Sequence, residues 1–128
     1  MKLLLDTHIF LWFVSGDKKL SLALREAISS PQNEVFLSVV SLWEMIIKYH
    51  LGHLPLPQPA EVYVPTQRRR LYIESLDIDE GSVFQVAKLP PLHRDPFDRL
   101  LVGQAIEHDL KLVTVDAAIR AYPTAPLL

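Results

Sequence analysis

Three features of this 128-residue sequence predict an α/β fold built on a parallel sheet. The strand candidates Leu3-Leu4-Leu5, Glu34 to Val40 and Lys111 to Val115 are short, mainly apolar runs, the pattern of strands covered on both faces. Segments with helical spacing of apolar residues lie between them, and alternating strands and helices give a parallel sheet with right-handed crossovers. An acidic residue then stands at or near the helix start after each run: Asp6, Glu44 and Asp116. Together these predict a three-layer α/β/α sandwich, one domain over residues 1–128.

The composition, 49% hydrophobic and 22% charged, is that of a globular chain and sets disorder aside. The absence of cysteine excludes a disulfide framework, thiolate zinc sites and a cysteine nucleophile. The apolar run before Asp6 is too short for a signal peptide. No apolar stretch approaches the ~20 residues of a membrane span. A net charge of −2 gives no global pull towards nucleic acid, so any such role must rest on a local patch or on bound cations.

Taking the elements in order, Leu3-Leu4-Leu5 is a buried strand, and Asp6-Thr7 turns the chain into a helix over Ile9 to Val14 that is apolar nearly all round. Such a helix is either enclosed or covered by another subunit. Ser15-Gly16-Asp17 breaks it. Ser21 caps a second helix with Leu22, Leu24, Ala27 and Ile28 inward, ending before Pro31. After the strand Glu34 to Val40, Ser41 starts a third helix with Leu42, Met45, Ile46 and Tyr49 on its inner face, stopped by Gly52. Leu54 to Pro59 is a proline-rich surface connector. Ala60 to Arg70 reads as a helix interrupted by Pro65, Leu71 to Ile78 as a short strand, and Asp79 to Leu89 as a helix with Val83, Val86 and Ala87 inward. Pro90-Pro91 ends that helix. In His93-Arg94-Asp95-Pro96-Phe97-Asp98-Arg99, Asp95 is an N-cap, Pro96 the first helical residue and Asp98 a first-turn acid. That helix runs to about His108, and after the last strand Asp116 opens a final helix to about Tyr122.

In an open parallel sheet, the loops after the strands' C-terminal ends form the ligand crevice. If their segments are neighbours, Asp6, Glu44, Asp98 and Asp116 converge there. Helix N-termini offset part of the charge, by about 0.3–1 kcal/mol each, and the remaining repulsion leaves two outcomes. Some carboxyls are protonated, or a hard divalent cation neutralises them. Oxygen ligands without cysteine or paired histidine point to Mg²⁺ or Mn²⁺ rather than zinc. Each acid also has a structural reading. Asp6 and Asp116 are adequate N-caps, and Ser41 with Glu44 matches a capping box, with Lys48 at i+4 from the glutamate. Arg68-Arg69-Arg70 is either a solvated face or a phosphate contact. His8, His50, His53 and His108 read as surface or packing residues, while His93 and Arg94 adjoin the acid-bearing helix start. Trp12 and Trp43 read as core or interface anchors.

Four motifs in order carry a family resemblance: Leu3-Leu4-Leu5-Asp6-Thr7-His8; Ser38-Val39-Val40-Ser41-Leu42-Trp43-Glu44; His93 to Arg99; and Leu112-Val113-Thr114-Val115-Asp116. From Leu3 to about Tyr122 the chain resembles the PIN domains, and among them the VapC-type toxin ribonucleases of bacterial type II toxin–antitoxin pairs. By position, Asp6, Glu44 and Asp98 match the family's three most constant acids, and Asp116 the fourth, more variable one. The resemblance implies an acid quartet holding Mg²⁺ or Mn²⁺, RNA cleavage in the bacterial cytoplasm, a homodimer, and a cognate antitoxin that buries a segment near the site. One departure is Val102-Gly103 where similar sequences show Ile-Ala, and a mid-helix glycine costs up to ~1 kcal/mol relative to alanine.

Metal-ion chemistry suggests the scheme: a bound water of lowered pKa attacks phosphorus in line, leaving a 5′-phosphate and a 3′-hydroxyl without a histidine base or a 2′-hydroxyl. Arg94, Arg99, Arg68 and Thr7 are candidate substrate contacts, the arginines with salt-sensitive affinity. The Thr7, Ser38 and Thr114 hydroxyls are candidates to orient metal-bound waters. Two other classes fit less well. A Mg²⁺-binding receiver-like signalling domain needs a lysine near the end of its last strand, whereas Lys111 opens that run. A catalytically silent PIN-like protein-binding module would suit the apolar first helix but leaves the complete acid quartet unexplained.

Overall fold

The computed structural model describes residues 1–92 and 95–128. Four strands, β1 (Lys2–Leu5), β2 (Glu34–Ser38), β3 (Glu74–Leu76) and β4 (Lys111–Val113), form one sheet in the order β3-β2-β1-β4 with every pairing parallel. The central strand pairs Leu3 with Val35 on one side and Leu5 with Val113 on the other. Its three leucines are fully buried and alternate between two cores. Leu3 and Leu5 join Ile9, Phe10, Met45 and Val64 on one face, while Leu4 joins Leu101, Val102, Ile119 and Tyr122 on the other. A continuous apolar run is therefore what a two-faced strand requires, since each fully buried leucine contributes about 1.5–3 kcal/mol.

Among the described residues, seven helices connect and cover the strands: α1 (Thr7–Ser15), α2 (Leu22–Ser29), α3 (Val39–His50), α4 (Ala60–Arg70), α5 (Glu80–Ala87), α6 (Pro96–Glu107) and α7 (Ala117–Arg120). Their starts follow local chemistry. Ser21, Asp79, Asp95 and Asp116 accept hydrogen bonds from first-turn amides, and Gly16 ends α1 in the left-handed conformation. Among the described residues no helix is long and apolar enough to cross a membrane.

Several expectations are corrected. β2 stops at Ser38, whose hydroxyl caps α3 by accepting from Val40 N at 3.0 Å, so Val39 and Val40 are helical and Ser41 is a buried helix residue, not a cap. β3 is only Glu74–Leu76, and β4 ends at Val113, leaving Thr114 and Val115 as a link to Asp116. Leu22 is 70% exposed, and Val83 and Ala87 are exposed as well. Of the three α5 residues expected inward, Val86 does face α6, and Ser82 is beside it. The approach there is close: a Cβ on Gly103 would lie 2.6 Å from the Ser82 carbonyl oxygen. Gly103 is the contact that lets two helices meet, not a weak point in α6. α4 continues through Pro65. The connector of residues 54–59 is not wholly superficial, since Leu54 and Leu56 pack on the core.

Candidate active site

The parallel topology fixes where each acid lies. α1, α3 and α7 start just after the C-terminal ends of β1, β2 and β4, and α6 runs back to feed β4, so its N-terminus lies at that same edge. Asp6, Asp98 and Asp116 stand at the N-termini of α1, α6 and α7, and Glu44 lies in the second turn of α3. Asp6, Glu44 and Asp98 are each no more than 8% exposed.

Two threonines connect three of them by hydrogen bonds from their hydroxyls and from backbone amides. Asp6 caps α1, its Oδ1 accepting from Thr7 N at 2.7 Å, while Thr114 Oγ1 donates to Asp6 Oδ2 at 2.8 Å. Asp116 N donates to the same Thr114 oxygen at 3.0 Å. On the other side Thr7 Oγ1 donates to Glu44 Oε1 at 2.7 Å and stands 2.9 Å from Ser41 Oγ. The threonine has one hydroxyl proton; with that given to the carboxylate, Ser41 is the donor to Thr7. Lys48 Nζ donates to Glu44 Oε2 at 2.9 Å, as the i,i+4 spacing anticipates. Beside this chain Phe97 meets Trp43 edge-on, ring centres 5.0 Å apart. The start of α6, and with it Asp98, is thereby pinned against the turn of α3 that precedes Glu44.

Burial pushes the Asp6 carboxyl above its ordinary range, and the charge of Glu44 adds to the rise; the Thr114 and Thr7 hydrogen bonds and His8 oppose it. A buried carboxylate with a penalised charge and one lone pair left on each oxygen suits a hard cation. Asp116 gives Oδ1 to the amides of Ala118 and Ile119, and its Oδ2 has no partner among the described residues. The donor chemistry, all oxygen, therefore fits Mg²⁺ or Mn²⁺. A finished cage is absent: among the described residues no group of three or more Asp, Glu or His side chains stands ready to hold an ion.

The remaining expected contacts fall elsewhere. Arg94 and His93 lie outside the described residues. Arg99 is engaged within the fold: Nη1 donates to Pro90 O and Tyr122 Oη, both at 3.0 Å, and Nη2 to Val86 O at 3.2 Å and Leu89 O at 3.5 Å. It satisfies carbonyls at the end of α5 and beyond, groups a helix terminus leaves unpaired. Arg68 is at the opposite edge of the sheet, where α4 leads into β3, and donates Nη1 to Ile73 O at 3.1 Å. Thr7 positions Glu44, and Ser38 caps a helix. Ser41 is the residue that sequence reasoning missed; its three-residue spacing from Glu44 puts both on one helical face, which was the available signal.

Comparison with known proteins agrees with this architecture. Ribonuclease VapC22 of Mycobacterium tuberculosis is 28% identical over 120 residues, 93% of this chain and 90% of that protein. Ribonuclease VapC16 of the same organism is 40% identical over 57 residues, a match spanning 44% of this chain and 40% of the relative's length. The VapBC2 structure of Rickettsia felis, bound to a DNA fragment from its promoter, superposes with a TM-score of 0.75 over 100% of this chain and 98% of that one, at 19% identity. That likeness shows the fold. The PIN domain family matches residues 3–124. On sequence, sheet order and placement of the acids, the chain belongs to the PIN domain family.

Proposed function

We propose that the chain is a Mg²⁺- or Mn²⁺-dependent endoribonuclease, the toxin of a toxin–antitoxin pair, acting in the cytoplasm as a homodimer restrained by a cognate antitoxin. The observation that carries this reading is the hydrogen-bonded series Asp116–Thr114–Asp6–Thr7–Glu44 along the C-terminal edge of a parallel sheet. The substrate class is supported by the two relatives named as ribonucleases, and the partner by the VapBC2 neighbour.

Asp6 and Asp98 would hold the cation, with Glu44 and Asp116 directly or through waters. The bound ion supplies a water of lowered pKa and a clamp on a non-bridging phosphate oxygen. The chain's own residues set the stage for it. Thr114 and the Thr7 amide fix the Asp6 carboxylate. Thr7 and Lys48 hold Glu44 by its two oxygens, so this glutamate is oriented and partly neutralised before anything binds. Arg99 reaches from the residue after Asp98 to the end of α5 and steadies the helix start that carries the acid.

The test is Asp98→Asn, which keeps shape and removes the charge. Cleavage of RNA in Mg²⁺ should fall on the order of a hundredfold or more, with 5′-phosphate ends on the products of the parent. Cleavage by the variant at the parental rate would remove Asp98 from the site. The silent binding module draws on one observation, the lack of a closed three-ligand group among the described residues. Calorimetric titration with Mn²⁺ separates the two readings.

A further inference from the structure

The arginine run and its neighbours build a second feature at the far edge of the sheet. A cleft of about 560 Å³ opens there, between the end of α2, the start of β2 and the turn from α4 into β3. Phe13, Ser29, Ser30, Arg70 and Tyr72 are among its lining residues, and no aspartate or glutamate lines it, in a chain whose net charge is −2. Arg70 is oriented in advance: its Nε and Nη2 donate to Gln67 Oε1 at 2.9 and 2.8 Å, which leaves Nη1 without a protein partner among the described residues.

Tyr72 is the unexpected member. It occupies the left-handed position after α4, with φ +58°, locked by Ile73 N donating to Arg68 O at 2.9 Å. Glycine normally takes that place, because a Cβ is disfavoured there. The tyrosine has 91% of its surface in solvent, so burial does not offset the conformational cost. Folding alone gives no reason for a tyrosine here. A ligand with a flat face and a negative charge does, and single-stranded RNA has both, since unpaired bases stack on exposed aromatic rings and arginine takes the phosphate.

We propose that this cleft is a second RNA contact, remote from the cut bond, with an unpaired base on Tyr72 and the adjoining phosphate on Arg70. The proposal rests on the ribonuclease reading and adds a length requirement. The four residues of β1 alone separate the two edges by about 13 Å, so a dinucleotide held at the acids does not reach the cleft.

The probes are polyuridylate and a uridine dinucleotide, bound to the Asp98→Asn protein and monitored by fluorescence anisotropy. Tyr72→Gly and Arg70→Ala, each added to that background, should weaken polyuridylate binding about tenfold and leave the dinucleotide unchanged. Arg70→Ala should also flatten the salt dependence by about 0.7 in log–log slope. Tyr72→Gly should at the same time raise the melting temperature by relieving the backbone, so stability and affinity move in opposite directions, which a purely structural tyrosine would not produce. Unchanged polyuridylate affinity in both variants overturns the proposal. So does an effect confined to oligomeric state or antitoxin binding, which would assign the cleft to a protein partner. With Asp98 intact, cleavage that persists while affinity is unchanged removes the cleft alone. Loss of polyuridylate binding in a protein that cuts no RNA removes the nuclease reading alone.

Discussion

Gly103→Ala sets two effects of known size against each other. Helix propensity favours alanine in mid-helix by about 1 kcal/mol. Against this, the new Cβ would lie 2.6 Å from the Ser82 carbonyl oxygen and 3.0 Å from Val86 Cγ2. The carbonyl belongs to a turn of α5 and cannot swing aside, so α5 and α6 would have to separate by roughly half an ångström or more to restore normal contact. Such overpacking costs about 1–3 kcal/mol. The contact is the larger effect, and the expected net loss is up to about 2 kcal/mol, or up to about 8 °C in melting temperature for a domain of this size. Differential scanning calorimetry of the two proteins at equal concentration reads it. A melting temperature that is unchanged or raised would show slack between the helices and refute the assignment of Gly103 to close packing. The substitution lies five residues along α6 from Asp98, about 7.5 Å on the helix axis, so activity below the melting range should fall less than stability does.

Three further outcomes follow from the site. Asp6→Asn should raise stability near neutral pH in chelating buffer, because the native carboxyl is held above its ordinary value of 3.8 and its charge disfavours the fold. The sign sets the pH window: the gain is fully present above the raised native value, shrinks as pH falls through it and is gone below 3.8, so melting temperatures against pH should converge in acid. Equal melting temperatures at neutral pH would contradict the burial argument. Thr7→Val should cost about 1–3 kcal/mol by leaving Glu44 Oε1 and Ser41 Oγ without their shared partner, and Thr7→Ser should recover most of it; denaturant titration measures both. Arg99→Ala should lower stability by at least about 1–3 kcal/mol by stranding carbonyls around the end of α5, while the affinity of the folded protein for RNA stays within about twofold, whereas a substrate-binding arginine would show the reverse pattern.

Much of this was legible in the chain, for identifiable reasons. Leu3-Leu4-Leu5 could only be a strand with two covered faces, and Asp95-Pro96 could hardly be other than a helix start. The acids after apolar runs pointed to one edge of the sheet, and that is the edge at which they lie. What misled was apolar continuity. Val35 to Val40 is apolar except for Ser38, so the change from strand to helix is marked only by that residue, whose hydroxyl caps α3. With Ser41 taken as the cap, Glu44 looked like half of a capping box, when both side chains face Thr7. Arg99 illustrates a different limit. An arginine beside a candidate catalytic acid reads as a phosphate contact until the packing shows four backbone and side-chain oxygens around it. Gly103 looked like a defect because its meaning depends on a helix twenty residues away in sequence, and no local pattern shows that approach.

The most direct test of the account is Mn²⁺ binding followed by electron paramagnetic resonance, which counts free ion and needs no substrate. The parent should bind Mn²⁺ stoichiometrically, Mg²⁺ should compete, and Asp6→Asn and Asp98→Asn should each weaken the binding by about tenfold or more. A parent that leaves the Mn²⁺ signal unquenched, or variants that bind as well as the parent, would contradict the claim that these buried carboxylates form one cation site.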